Sequence, residues 1–263
     1  MRITNSLFYR AVKFITKSYT PAQKEEFIAG VFHFATTAEN AETKNHIRQL
    51  FYKNRLTAYP VLSPAERLRC YGWLALLEKV KNIDGEIVEA GVGYGQTLIN
   101  LVIANTYFNA GKKIYAFDSF EGFPEPHQHD IGMRVNSLKK INGWEDTTPE
   151  LINEAIQFFS DDKLFVIDNQ SIIYRKGFFN ATMPQELPEK ICLLHIDNDL
   201  YEGVLHVLES TFPVLQKGAL VIFDEYHDEK WPGVKKAADE FAKTQNIHIE
   251  YFHEVLRYGF YRQ

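Results

Sequence analysis

The chain is short of cysteine. Two of its 263 residues, Cys70 and Cys192, are thiols. They lie far apart with no metal-type spacing, which excludes a disulfide framework and a zinc ribbon. A reducing compartment, the cytoplasm, is the expected location. Cys192 sits in the apolar run Ile191-Cys192-Leu193-Leu194 and reads as a buried, inert thiol. Long apolar runs are also missing. Nothing approaches the ~18 residues of a membrane span, and no signal-peptide core is visible. There is no internal repeat and no Ser/Gly linker. The formal net charge of -5 argues against a chain built to grip nucleic acid. With 45% hydrophobic and 24% charged residues, disorder and coiled coil are excluded as the main description.

One stretch lacks acids altogether. Residues 1–24 carry Arg2, Arg10, Lys13, Lys17 and Lys24 and no carboxylate, so the rest of the chain is more acidic than the total implies. Leu7, Phe8, Val12 and Ile15 share one face of a helix, with Arg10, Lys13 and Lys17 on the flanks and the far side. Three readings stand side by side: a helix docked on the acidic body, a transit peptide, or membrane-surface contact through residues 1–20.

Patterning divides the chain in two. Residues 20–60 read as helices, over 21–34 and 38–53. Ser63-Pro64-Ala65-Glu66 opens a further helix, with Ser63 as N-cap, proline at the first helical position and Glu66 completing a capping box. After Gly85 strands alternate with helices. Strands are predicted over 86–90, 113–118, 172–176, 191–197 and 219–224, and helices over 96–109, 201–215 and 232–243. Two last runs, 248–253 and 255–261, lie too close together for a crossover helix and should form a hairpin. This alternation predicts an α/β fold, a mostly parallel sheet with helices on both faces and an antiparallel strand at the C-terminal end.

Ligands of such sheets sit outside the carboxyl ends of the strands. Three polar features fall there. The first is Glu89-Ala90-Gly91-Val92-Gly93-Tyr94-Gly95-Gln96-Thr97, a turn whose glycines let a ligand approach the backbone and whose following helix offers free N–H groups. Such turns serve NAD, nucleotide and S-adenosylmethionine (SAM) sites alike. The second is Asp118, placed to accept the two hydroxyls of a ribose. The third is a pair of acid clusters, Asp197-Asn198-Asp199 and Asp224-Glu225, after two very apolar strands. Carboxylates converging on one edge repel unless a cation is present, and hard oxygen ligands of this kind suit Mg²⁺. Among the histidines, His227 stands next to the second cluster and is the candidate proton acceptor beside Asp197. His195 lies inside a strand and reads as core. His127 and His129 read as loop residues.

At these residues the sequence resembles the TylF/MycF (macrocin O-methyltransferase) family of class I SAM-dependent methyltransferases. The resemblance rests on Gly85-Glu86-Ile87-Val88-Glu89-Ala90-Gly91-Val92, on Phe117-Asp118-Ser119-Phe120-Glu121-Gly122-Phe123-Pro124, on Lys176-Gly177-Phe178-Phe179 with Thr182-Met183-Pro184, on His195-Ile196-Asp197-Asn198-Asp199-Leu200-Tyr201, and on Asp224-Glu225-Tyr226 with Trp231-Pro232-Gly233. It implies a Rossmann-like, seven-stranded methyltransferase fold over 63–263, with residues 1–62 as an N-terminal helical extension and lid. It implies SAM as methyl donor and Mg²⁺ held by Asp197, Asp224 and Glu225. Glu89, Gly91 and Gly95 would line the methionine moiety, within a turn that includes Gly93 and Thr97. Asp118 would hold the ribose, and Ser119 and Phe120 would flank the adenosine. The chain departs from the family where Val92-Gly93-Tyr94-Gly95 replaces the usual Trp-Arg-Gly, and where Ala181 precedes Thr182 in place of an acid.

The implied function is Mg-dependent O-methylation of a hydroxyl on a small-molecule or sugar-containing acceptor. The family often dimerises through its helical parts, so a homodimer is expected. An NAD(P)-dependent Rossmann enzyme would explain the Gly-rich turn and Asp118 but not the acid clusters. A non-catalytic SAM- or nucleotide-binding protein would have no use for them. A glycosyltransferase would share the Asp-x-Asp pattern but not the Gly-rich first strand.

Overall fold

The computed structural model describes residues 64–131, 147–161, 169–253, 255 and 257–263. The helices expected over 20–60, the lid assignment of 1–62, and the Ser63 cap lie outside these residues.

Helix α1 (Pro64–Val80) leads into β1 (Glu86–Ala90), α2 (Gln96–Tyr107), β2 (Ile114–Asp118), α3 (Pro149–Asp161) and β3 (Ile172–Lys176). A short α4 (Phe179–Thr182) precedes β4 (Ile191–Ile196). Then come α5 (Tyr201–Thr211), β5 (Leu215–Phe223), α6 (Pro232–Gln245), β6 (Glu250–Phe252) and β7 (Arg257–Tyr261). The strands form one seven-stranded sheet in the order β3-β2-β1-β4-β5-β7-β6. The first five run parallel, and β7 lies antiparallel between β5 and β6. The expected hairpin is present, with its second strand inserted next to β5. Helix α3 and the one-turn α4 were not among the predicted elements. The final turn of the predicted helix 201–215 is instead a 3-10 turn, Phe212–Val214, running straight into a longer β5.

The period-two alternation of the strands separates the core into two layers. Ile87, Leu193, Leu220 and Ile222 face α1 and α2, packing with Leu74, Leu77, Leu98 and Val102. Their neighbours Val88, Leu194, Val221 and Phe223 face the other way, onto Val204, Leu208, Val234 and Phe241 of α5 and α6. Strands buried on both faces need continuous apolar runs, and Ile191-Cys192-Leu193-Leu194 and Leu220-Val221-Ile222-Phe223 provide them. Each run ends in acids at the carboxyl edge. Among the described residues, no helix is long and apolar enough to cross a membrane.

Candidate active site

A cavity of ≈ 590 Å³ opens along the carboxyl edge of the sheet. One wall is the turn after β1. Gly91 is there for a steric reason: its φ is +94°, and a Cβ on it would stand 1.8 Å from the Asp197 carbonyl oxygen. The turn after β1 and the end of β4 therefore touch backbone to backbone. Gly95, at φ 78°, turns the chain into α2 as its N-cap.

Asp118 ties this turn to β2. Its Oδ2 accepts the N–H groups of Val92 (2.8 Å) and Gly93 (2.9 Å), and its Oδ1 accepts that of Phe120 (2.7 Å). The carboxylate thus shapes the Gly-rich turn while also lining the cavity. Ser119 Oγ is engaged within its own turn, donating to the Gly122 carbonyl (2.7 Å). The Phe120 ring points away, into the core against Tyr174, at 6.3 Å between centroids. Phe123 and Pro124 form the aromatic wall that the sequence suggested for Phe120. Phe123 in turn packs on Trp231 at 5.8 Å.

The opposite wall carries the acids. Backbone hydrogen bonds continue one residue past the strands, from Asp197 N–H to Ala90 O (2.9 Å) and from Asp224 N–H to Ile196 O (3.0 Å), which brings these two carboxylates side by side. Carboxylate oxygens of Asp197, Asp199 and Glu225 lie within 4.8 Å of one another, and so do ligand atoms of His195, Asp197 and Asp224. Asp197 belongs to both groups. The set expected from the sequence is therefore split between two overlapping groups, and Asp199 joins it.

Charge is held unevenly here. Burial, then the charges of Asp197 and Asp224, push the Glu225 carboxyl well above the usual range. Burial also opposes the Asp224 charge, but a hydrogen bond from Glu225 and the Arg257 guanidinium outweigh it and hold Asp224 low. Behind them, Glu89 is fully buried, and its Oε1 lies 3.4 Å from His195 Nδ1. Burial first, and then the charges of Asp197, Asp118 and Asp224, push the Glu89 carboxyl well above the usual range. Burial drives His195 down to about 4, so its ring is neutral at pH 7. The ring meets Trp73 edge-on at 4.7 Å. His195 is a core residue, as its strand position suggested.

Of the residues named from sequence, Gly91, Gly93, Thr97, Asp118, Ser119, Asp197 and Asp224 line the cavity. Glu89, Gly95, Phe120 and Glu225 stand behind its surface. His227 is exposed and is not among the lining residues; its ring rests edge-on against Tyr258 at 4.1 Å. The expected histidine base is thus outside the cavity, because the chain turns outward after Glu225. Arg257, Trp73 and the α5 face of Glu202, Leu205, His206 and Glu209 line the cavity without having been singled out. Only the antiparallel register brings Arg257 in: it sets Tyr258 against Phe223, which places residue 257 beside Asp224.

The carboxylate oxygens fit a hard divalent cation. They come from three side chains at one edge, and Glu225 Oε2 is buried with no hydrogen-bond partner.

The chain is 28% identical over 181 residues to mycinamicin III 3''-O-methyltransferase of Micromonospora griseorubida, covering 68% of each protein. It is also 28% identical over 149 residues to a tetracenomycin 4'-O-methyltransferase of Streptomyces olivaceus, which acts on a dimethoxy-rhamnosyl derivative. That match covers 55% of this chain and only 54% of the relative, about half its length. Among solved structures, the O-methyltransferase NovP superposes with a TM-score of 0.67 at 17% identity, covering 89% of this chain and 99% of NovP. The calicheamicin methyltransferase CalS11 gives 0.62 at 22% identity, covering 92% and 93%. These likenesses show the fold. A family model described as macrocin-O-methyltransferase (TylF) matches residues 62–262, so the chain belongs to that family.

Proposed function

We propose that this chain is a SAM-dependent, Mg²⁺-dependent O-methyltransferase whose acceptor is a hydroxyl of a small-molecule or sugar-containing compound. The observation that carries this is a single cavity joining the Gly-rich turn and Asp118 to the acids of β4 and β5. The relatives are named as O-methyltransferases of a rhamnosyl-tetracenomycin and of mycinamicin III, which supports the acceptor class. An NAD(P) enzyme would leave the acid wall without a task.

Gly91, Gly93 and Thr97 would bound the methionine part of SAM, which the bare backbone of the turn lets approach closely. The remaining lone pairs of Asp118 would meet the ribose, and Phe123 with Ser119 would flank the adenosine. Asp197, Asp224 and Glu225, joined by Asp199, would hold the cation. A divalent cation there lowers the pKa of a bound hydroxyl and orients its oxygen.

Transfer is an in-line displacement. The acceptor oxygen forms a bond to the SAM methyl carbon as the carbon–sulfur bond breaks, and its proton passes to Asp197. The products are a methyl ether and S-adenosylhomocysteine. Asp197 suits the proton step because it lies where both acid groups overlap and within the cavity wall. Holding oxygen, methyl and sulfur in line supplies much of the acceleration.

Residues 1–62 are proposed as a helical extension and lid to a body at 63–263, and the chain is proposed to form a homodimer. A cytoplasmic location agrees with the low cysteine content.

The test is methyl-labelled SAM with a panel of deoxysugar glycosides, with Mg²⁺ or with EDTA. Label on an acceptor, lost in EDTA, is the expected result. Calorimetric binding of NAD in preference to SAM would overturn the reading.

A further inference from the structure

Among the described residues lining the cavity, Arg257 is the one lysine or arginine. It faces six acids there: Asp118, Asp197, Asp199, Glu202, Glu209 and Asp224. Its position follows from the topology. Residue 257 begins β7, and the pairing of Tyr258 with Phe223 sets it beside the first residue past β5. Arg257 Nε donates to Asp224 Oδ1 in a close ion pair, with both side chains about three-quarters buried. That same Oδ1 lies 4.0 Å from His195 Nε2, and Asp224 shares its candidate ligand group with Asp197.

An oxygen held by a guanidinium is a poor ligand for a second cation. Two positive charges on one carboxylate repel, and in a part-buried site water does little to screen them. We propose that Arg257 is a resident counter-cation of the acid wall, and that a divalent ion gains Asp224 Oδ1 only by displacing its guanidinium. This rests on the reading that the acid wall takes a divalent cation. It gives Arg257 two tasks. It keeps the packed acids from repelling one another when no ion is bound, and it sets a lower metal affinity than the carboxylates alone would have.

The test is Mn²⁺ binding to the full chain, followed by electron paramagnetic resonance, without any acceptor. Arg257→Gln is expected to bind Mn²⁺ about tenfold more tightly than the natural chain, a factor of ten being about 1.4 kcal/mol. Arg257→Lys keeps the charge and is expected to stay near the natural affinity. Equal or weaker binding by a folded Arg257→Gln chain overturns the proposal, as does equal tightening by Arg257→Lys. A second measurement needs no substitution. The Arg257 Nε–H resonance is expected to shift when Mg²⁺ is added to the natural chain, and a resonance unmoved at saturation overturns the proposal. The two readings fail differently. If the natural chain binds Mn²⁺ and loses it in Asp197→Asn, while Arg257→Gln gains nothing, the counter-cation role alone falls. If neither chain binds Mn²⁺, the metal assignment falls and the counter-cation role with it.

Discussion

The two edges of the parallel sheet differ in how they pair buried polar groups. At the amino edge several are matched, although Arg262 Nε is buried without a hydrogen-bond partner. Lys112, only 8% exposed, donates from Nζ to the carbonyls of Ile83 (2.7 Å) and Gly85 (2.9 Å). Asn105 closes a two-way bridge with the Lys112 backbone, at 2.8 and 3.2 Å. The buried Cys192 thiol donates to Glu86 O at 3.4 Å. At the carboxyl edge the pairing stops. Both oxygens of Glu89, both ring nitrogens of His195, the side-chain amide of Asn198 and one oxygen of Glu225 are buried without a hydrogen-bond partner. An unmatched buried polar group costs about 1–3 kcal/mol. One edge is built to close the fold. The other keeps a cost that closure does not require, which is the mark of a surface shaped for a ligand.

Substitutions at the two edges should therefore separate activity from stability. The largest effect is expected from Asp197→Asn, which removes the shared carboxylate. Methyl transfer should fall by about 10²–10⁴-fold, while calorimetry still detects SAM binding. Full turnover in this variant would remove Asp197 from the chemistry. Next is Asp118→Ala, which strips three backbone N–H groups of their acceptor and loosens the Gly-rich turn. SAM affinity should drop about tenfold or more, and an unchanged dissociation constant would break the link between Asp118 and the cofactor. At the amino edge, Lys112→Met should act the other way. Denaturant unfolding should show a loss of about 1–3 kcal/mol, with the KM for SAM unchanged. A shift in KM without a loss of stability would erase the contrast between the edges. The smallest effect is expected at Cys192. Burial pushes its thiol up to about 11, so maleimide at pH 7.5 should leave it unmodified in the folded chain and label it only after denaturation. Peptide mass mapping separates it from Cys70.

Much of the fold was legible because strands buried on both faces need apolar runs, and these runs end abruptly in acids or glycine. The strand β1 and the turn to Gly95 are an instance: Ile87 and Val88 face opposite layers, and Glu89 begins the polar edge. Helix α3 was missed although Thr148-Pro149-Glu150 carries an N-cap and a first-turn proline like those of Ser63-Pro64: Thr148 Oγ1 accepts the Leu151 N–H at 3.3 Å. Phe120 and Phe123 were not separable by residue type. Phe120 takes a left-handed φ of 52°, so its ring turns into the core and leaves the cavity wall to Phe123. His227 followed the acids in sequence, but the chain leaves the edge after Glu225 and carries the ring outside.

Chemical kind was settled in the sequence alone: a parallel sheet, a glycine turn, an acid after the second strand and a surplus of carboxylates after the fourth and fifth. These follow from side-chain hydrophobicity and from the φ angles that glycine permits. Partnership was decided by the tertiary structure. Asp224 lies 33 residues from Arg257 in the chain, and only the antiparallel insertion of β7 beside β5 brings guanidinium and carboxylate together. The grouping of Asp199 with Asp197 and Glu225, and the upward shift of Glu89 beside a neutral His195, likewise depend on burial and on distances that no local pattern specifies.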